Sequence, residues 1–314
     1  MSIILATDCY ETIRPVVHHL RRQTVRGQLE IVMVTPDPES LGLEASELEG
    51  FAGVRVVAVK SLYPLGVARA AGVRAARAPL VFIGETHTYG HPTWAETLID
   101  AHARPWAAVV PGFGNANPHT ALSWAIFLLD YGYWLYALPS QEASVSPTHN
   151  VAYKRQVLLE LGSGLEPALS QGDQLPIALR KSGHHSYFEP AARLDHLNVA
   201  QPGPWIRERF LGGLLLAGRR AQRWSALRRL VYFCGSPLIP AVILTRLRKP
   251  IGLALRNLHL PAGTLPALVA GTLISTVGEM VGYARGADRT ADLAMMELEV
   301  HKLQYASSRA RVPR

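Results

Sequence analysis

The chain has 314 residues, enough for one large domain and a second unit, and 48% of them are hydrophobic, so a sizeable core is available. Its two cysteines, Cys9 and Cys234, lie far apart with no C-x-x-C spacing, which implies neither a disulfide framework nor a zinc knuckle and fits a reducing, cytoplasmic setting. The net charge of +8 is unevenly spread: residues 201–314 carry 17 Lys/Arg against 6 Asp/Glu, leaving 15 against 18 in residues 1–200. A tail both basic and apolar points to an anionic membrane surface. Nucleic acid is not an expected partner, because the tail's arginines sit among leucines rather than among exposed stacking aromatics and no nucleic-acid motif occurs.

The first eleven residues, "MSIILATDCYE", have no basic segment before a short apolar run, and read as a first strand rather than a signal peptide. From there strand-like and helix-like segments alternate up to residue 110. "SIILAT" (2–7) is followed by a helical pattern in "YETIRPVVHHLRRQ". "LEIVMVT" (29–35) and "VRVVAV" (54–59) are the next strands. "LGVARAAGVRAARA" (65–78) is an alanine-rich helix, "PLVFIG" (79–84) a fourth strand, "PTWAETLIDAHA" a helix with Pro92 near its start, and "WAAVVPGF" a fifth strand. This order predicts an α/β fold whose mostly parallel sheet is flanked by helices. In such sheets ligands bind beyond the carboxyl ends of the strands, where Thr7, Thr35 and Glu85 fall.

Residues 111–200 are more irregular. "NANPHT" is a turn cluster, with Asn115 and Asn117 read as turn formers. "ALSWAIFLLDYGYWLYAL" (121–138) reads as a helix. "VSPTHNVAYKRQVLLELG" passes from a polar loop into an amphipathic helix ended by Gly162, "QLPIALRKSG" is a short helix, and "HSYFEPAARLDHLN" is a strand and its exit. Composition shifts at "AQPGPW" (200–205), so the boundary is placed between residues 1–199 and a helical, basic extension, 200–314. The apolar run from Leu230 to Thr245 is interrupted by Pro237 and Pro240 and is shorter than the roughly 20 residues that span a bilayer. "LPALVAGTLISTVGEMVGY" carries Glu279. The extension is therefore expected to hold interfacial or re-entrant helices, against the alternative of ordinary buried helices at an oligomer interface.

The stretch "VFIGETHTYGHPTW" (81–94) breaks from a buried strand into Glu85 and His87, two residues apart. A carboxylate oxygen and an imidazole nitrogen at i and i+2 beyond a strand end converge on one divalent ion if the backbone turns. The other reading is a solvated loop that caps the helix after Pro92. The paired histidines His18–His19 and His184–His185 read as surface residues, and Trp94, Trp124 and Trp134 as packing residues.

The order of segments resembles a family 2 glycosyltransferase of GT-A fold, in particular a bacterial subgroup with a basic, apolar C-terminal extension. The resemblance runs over about residues 1–198 through "LATDCYETI", "LEIVMVTPD", "GVARAAGVRAARAP", "FIGETHTYGHPTW", "THNVAYKRQVLLELG" and "LPIALRKSGHHSYFEPAARLDH". It implies transfer of a sugar from a nucleotide-sugar donor to an acceptor hydroxyl, with inversion. Glu85-Thr86-His87 then corresponds to the acidic motif that holds a divalent metal, Mn²⁺ or Mg²⁺, on the donor diphosphate, and His196 to a further metal ligand. Thr7, Thr35, Arg69, Glu85, His149 and Asn150 fall where the family contacts its donor. Asp173 is the candidate general base, one residue beyond the aligned Gly172, with Glu166 as runner-up. With the tail, the resemblance implies a lipid-linked or polysaccharide acceptor and a place at the cytoplasmic face of the membrane.

The chain departs from the family in having Thr35 and Pro36 where a double aspartate follows the second strand, and Gly172 at the base position. Those departures define the competing reading, a degenerate, non-catalytic relative that binds a nucleotide-sugar or a partner at the membrane. A nucleotidyltransferase is disfavoured by the lack of a glycine-rich phosphate loop after the first strand.

Overall fold

The computed structural model describes residues 1–306 except 144, 145, 171 and 173. The chain divides into two compact units. One comprises Met1–Gly114 and Trp134–His196; the other comprises Asn115–Tyr133 and the chain from Leu197 onward.

The first unit is built on a sheet of β1 (Ser2–Ala6), β2 (Glu30–Thr35), β3 (Gly53–Ala58), β4 (Leu80–Ile83), β5 (Thr88–Gly90), β6 (Ala108–Asn115), β7 (Gln141–Glu142), β8 (Val151–Lys154) and β9 (Ser186–His196). Their spatial order is β3-β2-β1-β4-β8-β6-β9-β5, with β7 also on β9. Every residue of β1 and β2 is buried, as near-continuous apolar strands covered on both faces should be. Helices α1 (Tyr10–Arg21), α2 (Leu65–Ala75) and α3 (Trp94–Ala101) supply the crossovers, and α5 (Arg155–Leu159), α6 (Leu165–Ser170) and α7 (Gln174–Lys181) lie between β8 and β9. The small residues of α2 let it sit close to the sheet. A Cβ on Gly72 would come 2.4 Å from Ile4 Cγ2.

The first four strands are parallel, as the strand–helix alternation requires. The pairings of β8 with β4 and β6, and of β9 with β5 and β7, are antiparallel. The α/β fold therefore carries a mixed sheet, and β5, β7 and β8 are additions to the sequence reading. Residues 151–154 were expected within a loop leading to a helix. They instead form the strand that bridges the two halves. The helix expected over 121–138 ends earlier, as α4 (Ala121–Tyr131), followed by a 3₁₀ turn at Gly132–Trp134.

The second unit is helical: α4 with α8 (Pro202–Arg220), α9 (Ala226–Gly235), α10 (Ile239–Asn257), α11 (Thr264–Arg285), α12 (Arg289–Val300) and α13 (Lys302–Tyr305). Helices α8 and α11 meet backbone to backbone. A Cβ on Gly278 would come 2.1 Å from the Phe210 carbonyl oxygen, and one on Gly213 2.0 Å from that of Ser275. Buried charges are paired here: Arg209 grips Asp130 with two bonds at 2.7 and 2.9 Å, and Lys302 lies 3.2 Å from Glu208.

The interrupted apolar run at 230–245 is a correction. Pro237 falls in a 3₁₀ turn and Pro240 in the first turn of α10, where a missing N–H costs little, so residues 226–257 continue helically through both. That 32-residue stretch and the 22-residue α11 are each long and apolar enough to cross a membrane by length and composition.

Candidate metal centre and its surroundings

The strand β4 ends at Ile83, and Gly84–His87 turn the chain before β5 begins at Thr88. In the antiparallel pairing of β5 with β9, Thr88 stands opposite His196. A residue at the end of the fourth strand is thereby brought against one more than a hundred positions later. Glu85, His87 and His196 are all buried, at 7%, 1% and 2% exposure.

Their donor atoms form a small triangle. His87 Nε2 lies 3.4 Å from Glu85 Oε2, His196 Nε2 lies 3.5 Å from the same oxygen, and the two imidazole nitrogens are 3.1 Å apart. Ligands held at ~2.1 Å from one ion stand about 3 Å apart when they meet at right angles, so this triangle has the dimensions of one face of a coordination shell. Two imidazoles and one carboxylate suit a divalent ion, and the three residues fit the metal that the sequence pattern implied.

The surroundings hold the triangle in place. Asn150 donates from Nδ2 to Glu85 Oε2 at 2.6 Å and accepts from the Thr88 hydroxyl at 3.2 Å. It is fully buried and takes φ +57°, the left-handed region that asparagine tolerates better than most residues. The Thr86 hydroxyl lies 3.2 Å from His87 Nδ1, which fixes the ring so that Nε2 faces the carboxylate. His149 Nε2 lies 3.0 Å from Glu85 Oε1, and Arg69 approaches the same oxygen at 4.0 Å. Burial disfavours the Glu85 anion, but electrostatic attraction to His149 and His87 and hydrogen bonds from His149 and His196 outweigh it and hold the carboxyl well below its ordinary range.

Tyr153, on β8, donates to the carbonyls of Pro147 and Thr148, and Thr148 donates to the Gly172 carbonyl. These bonds fasten the loop that carries His149 and Asn150. Sequence reasoning did not single out Thr88 and Tyr153, and it named Thr86 only as the middle of the Glu85-Thr86-His87 motif. The flanking threonines in "ETHT" were the available signal.

The other expected site residues have the following places. Thr7 and Thr35 are fully buried at the ends of β1 and β2. Thr7 donates to the Cys9 carbonyl, and Thr35 lies 3.4 Å from the Asp8 carbonyl, so both hydroxyls close the turn at these strand ends. Glu166 is on α6 in an ion pair with Arg74 at 2.7 Å. Asp173 lies outside the described residues. Asn115 and Asn117 are more than turn formers: the Asn117 amide donates to the Asn198 carbonyl at 2.8 Å, and Asn198 Nδ2 donates to Asn115 Oδ1 at 3.0 Å.

No family model and no curated protein matches the sequence. Solved structures do. The chain superposes on the mannosyltransferase PcManGT from Pyrobaculum calidifontis, solved with GDP-Man and Mn²⁺, with a TM-score of 0.53 and 16% identity over 89% of this chain and 86% of that one. The fold is GT-A. Two further matches are weaker: TarS 1–349 of S. aureus in complex with UDP, at 14% identity, 92% of each chain and a TM-score of 0.48, and GalNAc-T7 with UDP, GalNAc and Mn²⁺, at 15% identity and a TM-score of 0.45. This chain covers 43% of the GalNAc-T7 chain, and 62% of its own length takes part. At 16% identity the PcManGT match establishes the fold alone, and in this sheet Glu85, His87 and His196 lie at the carboxyl ends of their strands.

Proposed function

We propose that the protein is a metal-dependent glycosyltransferase that moves a sugar from a nucleoside-diphosphate donor to an acceptor hydroxyl. The observation that carries this reading is the buried Glu85–His87–His196 triangle beyond β4 of a GT-A sheet. The solved protein of this fold with the highest TM-score among those named was captured with GDP-Man and Mn²⁺.

A divalent ion held there would offset the negative charge that gathers on a departing nucleoside diphosphate. Two imidazoles among three donors favour Mn²⁺ over Mg²⁺, which prefers oxygen ligands. The chain's own residues do the positioning. Glu85 is held by Asn150, His149 shares its second oxygen, and Arg69 brings a guanidinium to the same place, suited to a donor phosphate. Asp173 remains the proposed base for an inverting transfer, since Glu166 is engaged by Arg74. The basic helical extension, with two helices of membrane-spanning length, supports a place at the cytoplasmic face of a membrane and a lipid-linked or polysaccharide acceptor.

The test is calorimetric titration of the purified protein with UDP, GDP and dTDP, each with and without Mn²⁺. The expected result is metal-dependent binding of one nucleotide, lost in His87→Ala. A folded protein that binds none of the three under either condition would overturn the transferase reading and favour the degenerate one.

A further inference from the structure

The helical unit contains an open cavity of about 480 Å³ lined by residues of α8, α9, α10 and α11. Its volume lies within the range of small-molecule sites, roughly 300–1,000 Å³. The walls are mostly apolar, with Leu216, Val231, Ile239 and Val242 among them, and two arginines, Arg220 and Arg246, also line it. Nothing in the reading of the metal centre uses this cavity, and the inference below does not rest on the transferase proposal.

The charge balance decides what kind of ligand fits. Residues 226–257, which form two of the walls, contain six Lys/Arg and no Asp/Glu. The one carboxylate in the lining, Glu279, already has local partners. Tyr283 donates to it at 3.5 Å, and Arg220 reaches the same tyrosine hydroxyl at 3.4 Å. Arg246 makes no hydrogen bond or ion pair among the described residues. An apolar chamber with an uncompensated guanidinium in its wall matches an amphiphile with a hydrocarbon chain and an anionic head.

Apolar side chains of the same segment are exposed: Leu238, in the cavity lining, is 69% exposed, and Leu230 56%. They offer a path by which a chain could enter from a lipid phase. A chain atom occupies close to the ~30 Å³ of a liquid water molecule, so the cavity holds on the order of 15 of them.

We propose that this cavity is a binding site for one hydrocarbon chain of an anionic lipid, with Arg246 on its phosphate headgroup.

Gly235 gives a clean way to test it. It lines the cavity, and an added Cβ there meets no heavy atom within 4 Å, so a large side chain can be introduced at this wall without colliding at its root. The probe is dodecyl phosphate, titrated calorimetrically into the purified full chain below the concentration at which it forms micelles, with dodecanol and inorganic phosphate as controls. The expected result is saturable binding of one dodecyl phosphate per chain, weakened at least tenfold in Gly235→Phe and several-fold in Arg246→Gln. Dodecanol should bind more weakly, and inorganic phosphate should not bind measurably. Circular dichroism checks that Gly235→Phe is folded, and Arg246→Gln, an exposed change, tests the head contact independently. Unsaturable uptake, or equal binding to the wild type and a folded Gly235→Phe, would show surface adsorption and overturn the proposal. So would equal binding of dodecanol, or binding of inorganic phosphate as tight as that of dodecyl phosphate.

Discussion

Asn150 and Glu85 are joined at 2.6 Å across 65 positions of sequence, with Asn150 in a left-handed conformation that aims its amide at the carboxylate. That geometry makes Asn150 a positioning residue for the metal centre. Asn150→Gly keeps the backbone conformation and removes only the amide. It should cost roughly 1.5–3 kcal/mol of stability, the range for a hydrogen bond to a charged group, and lower Mn²⁺ affinity about 10–100-fold. Chemical denaturation and metal titration of the same variant check the two effects. Mn²⁺ affinity equal to the wild type would remove Asn150 from this role.

Each imidazole of the triangle supplies one donor atom, so losing either should hurt metal binding more than losing a supporting residue. His87→Ala and His196→Ala are expected to weaken Mn²⁺ by about 100-fold or more, beyond the loss that supporting residues give. Thr86→Val, which removes the hydroxyl beside His87 Nδ1, should fall in the milder range. Equilibrium dialysis against Mn²⁺ ranks the three. A Thr86→Val loss as large as His87→Ala would mean that ring orientation, rather than ligation, dominates.

The way these residues come together shows what could be read from the chain alone. The strand–helix alternation through residue 110 was legible because each strand is a run of apolar residues long enough to differ from the amphipathic helices between them. Glu85 and His87 stood out by breaking such a run. The partner histidine was reachable only through the family resemblance, because nothing local to "ARLDHLN" marks it. β5 and β8 are three and four residues long, and their pairing comes from tertiary contacts that leave no periodic trace. Asn115 and Asn117 looked like turn formers because the sequence does not show Asn198, 81 positions from Asn117, as their partner. The helix through Pro237 was obscured by reading proline as a breaker, when here both prolines occupy first turns.

His102 sets a pH dependence. It is buried, its Nε2 lies 3.2 Å from the Ala152 carbonyl oxygen, and burial pushes its pKa down from 6.5 to about 4. The unfolded chain binds a proton there below about pH 6.5 while the folded chain does not. The contribution is therefore fully present above that pH and is lost as pH falls toward 4. A shift of this size corresponds to roughly 3 kcal/mol across the window. His102→Gln should flatten this part of the profile when urea unfolding is compared at pH 7 and pH 4.5. An unchanged difference between the two pH values would assign the acid sensitivity to other groups.

In the helical unit, the contact between α8 and α11 has no room for a side chain at Gly278, whose added Cβ would meet the Phe210 carbonyl. Gly278→Leu should destabilise the unit by more than the ~1–3 kcal/mol usual for overpacking, because backbone rather than a flexible side chain has to move. Gly235→Leu, where nothing stands in the way, should be close to neutral. Thermal unfolding of the pair provides the comparison. Equal midpoints would contradict the close approach.

The central claim is that Glu85, His87 and His196 bind one divalent ion that in turn helps bind a nucleoside diphosphate. Electron paramagnetic resonance of Mn²⁺ tests it most directly, because free and protein-bound Mn²⁺ give separable signals. The account predicts one bound Mn²⁺ per chain, tightened by the correct nucleoside diphosphate and lost in His196→Ala. Wild-type protein that leaves the free Mn²⁺ signal unchanged, or a His196→Ala variant that binds as tightly as wild type, would contradict it.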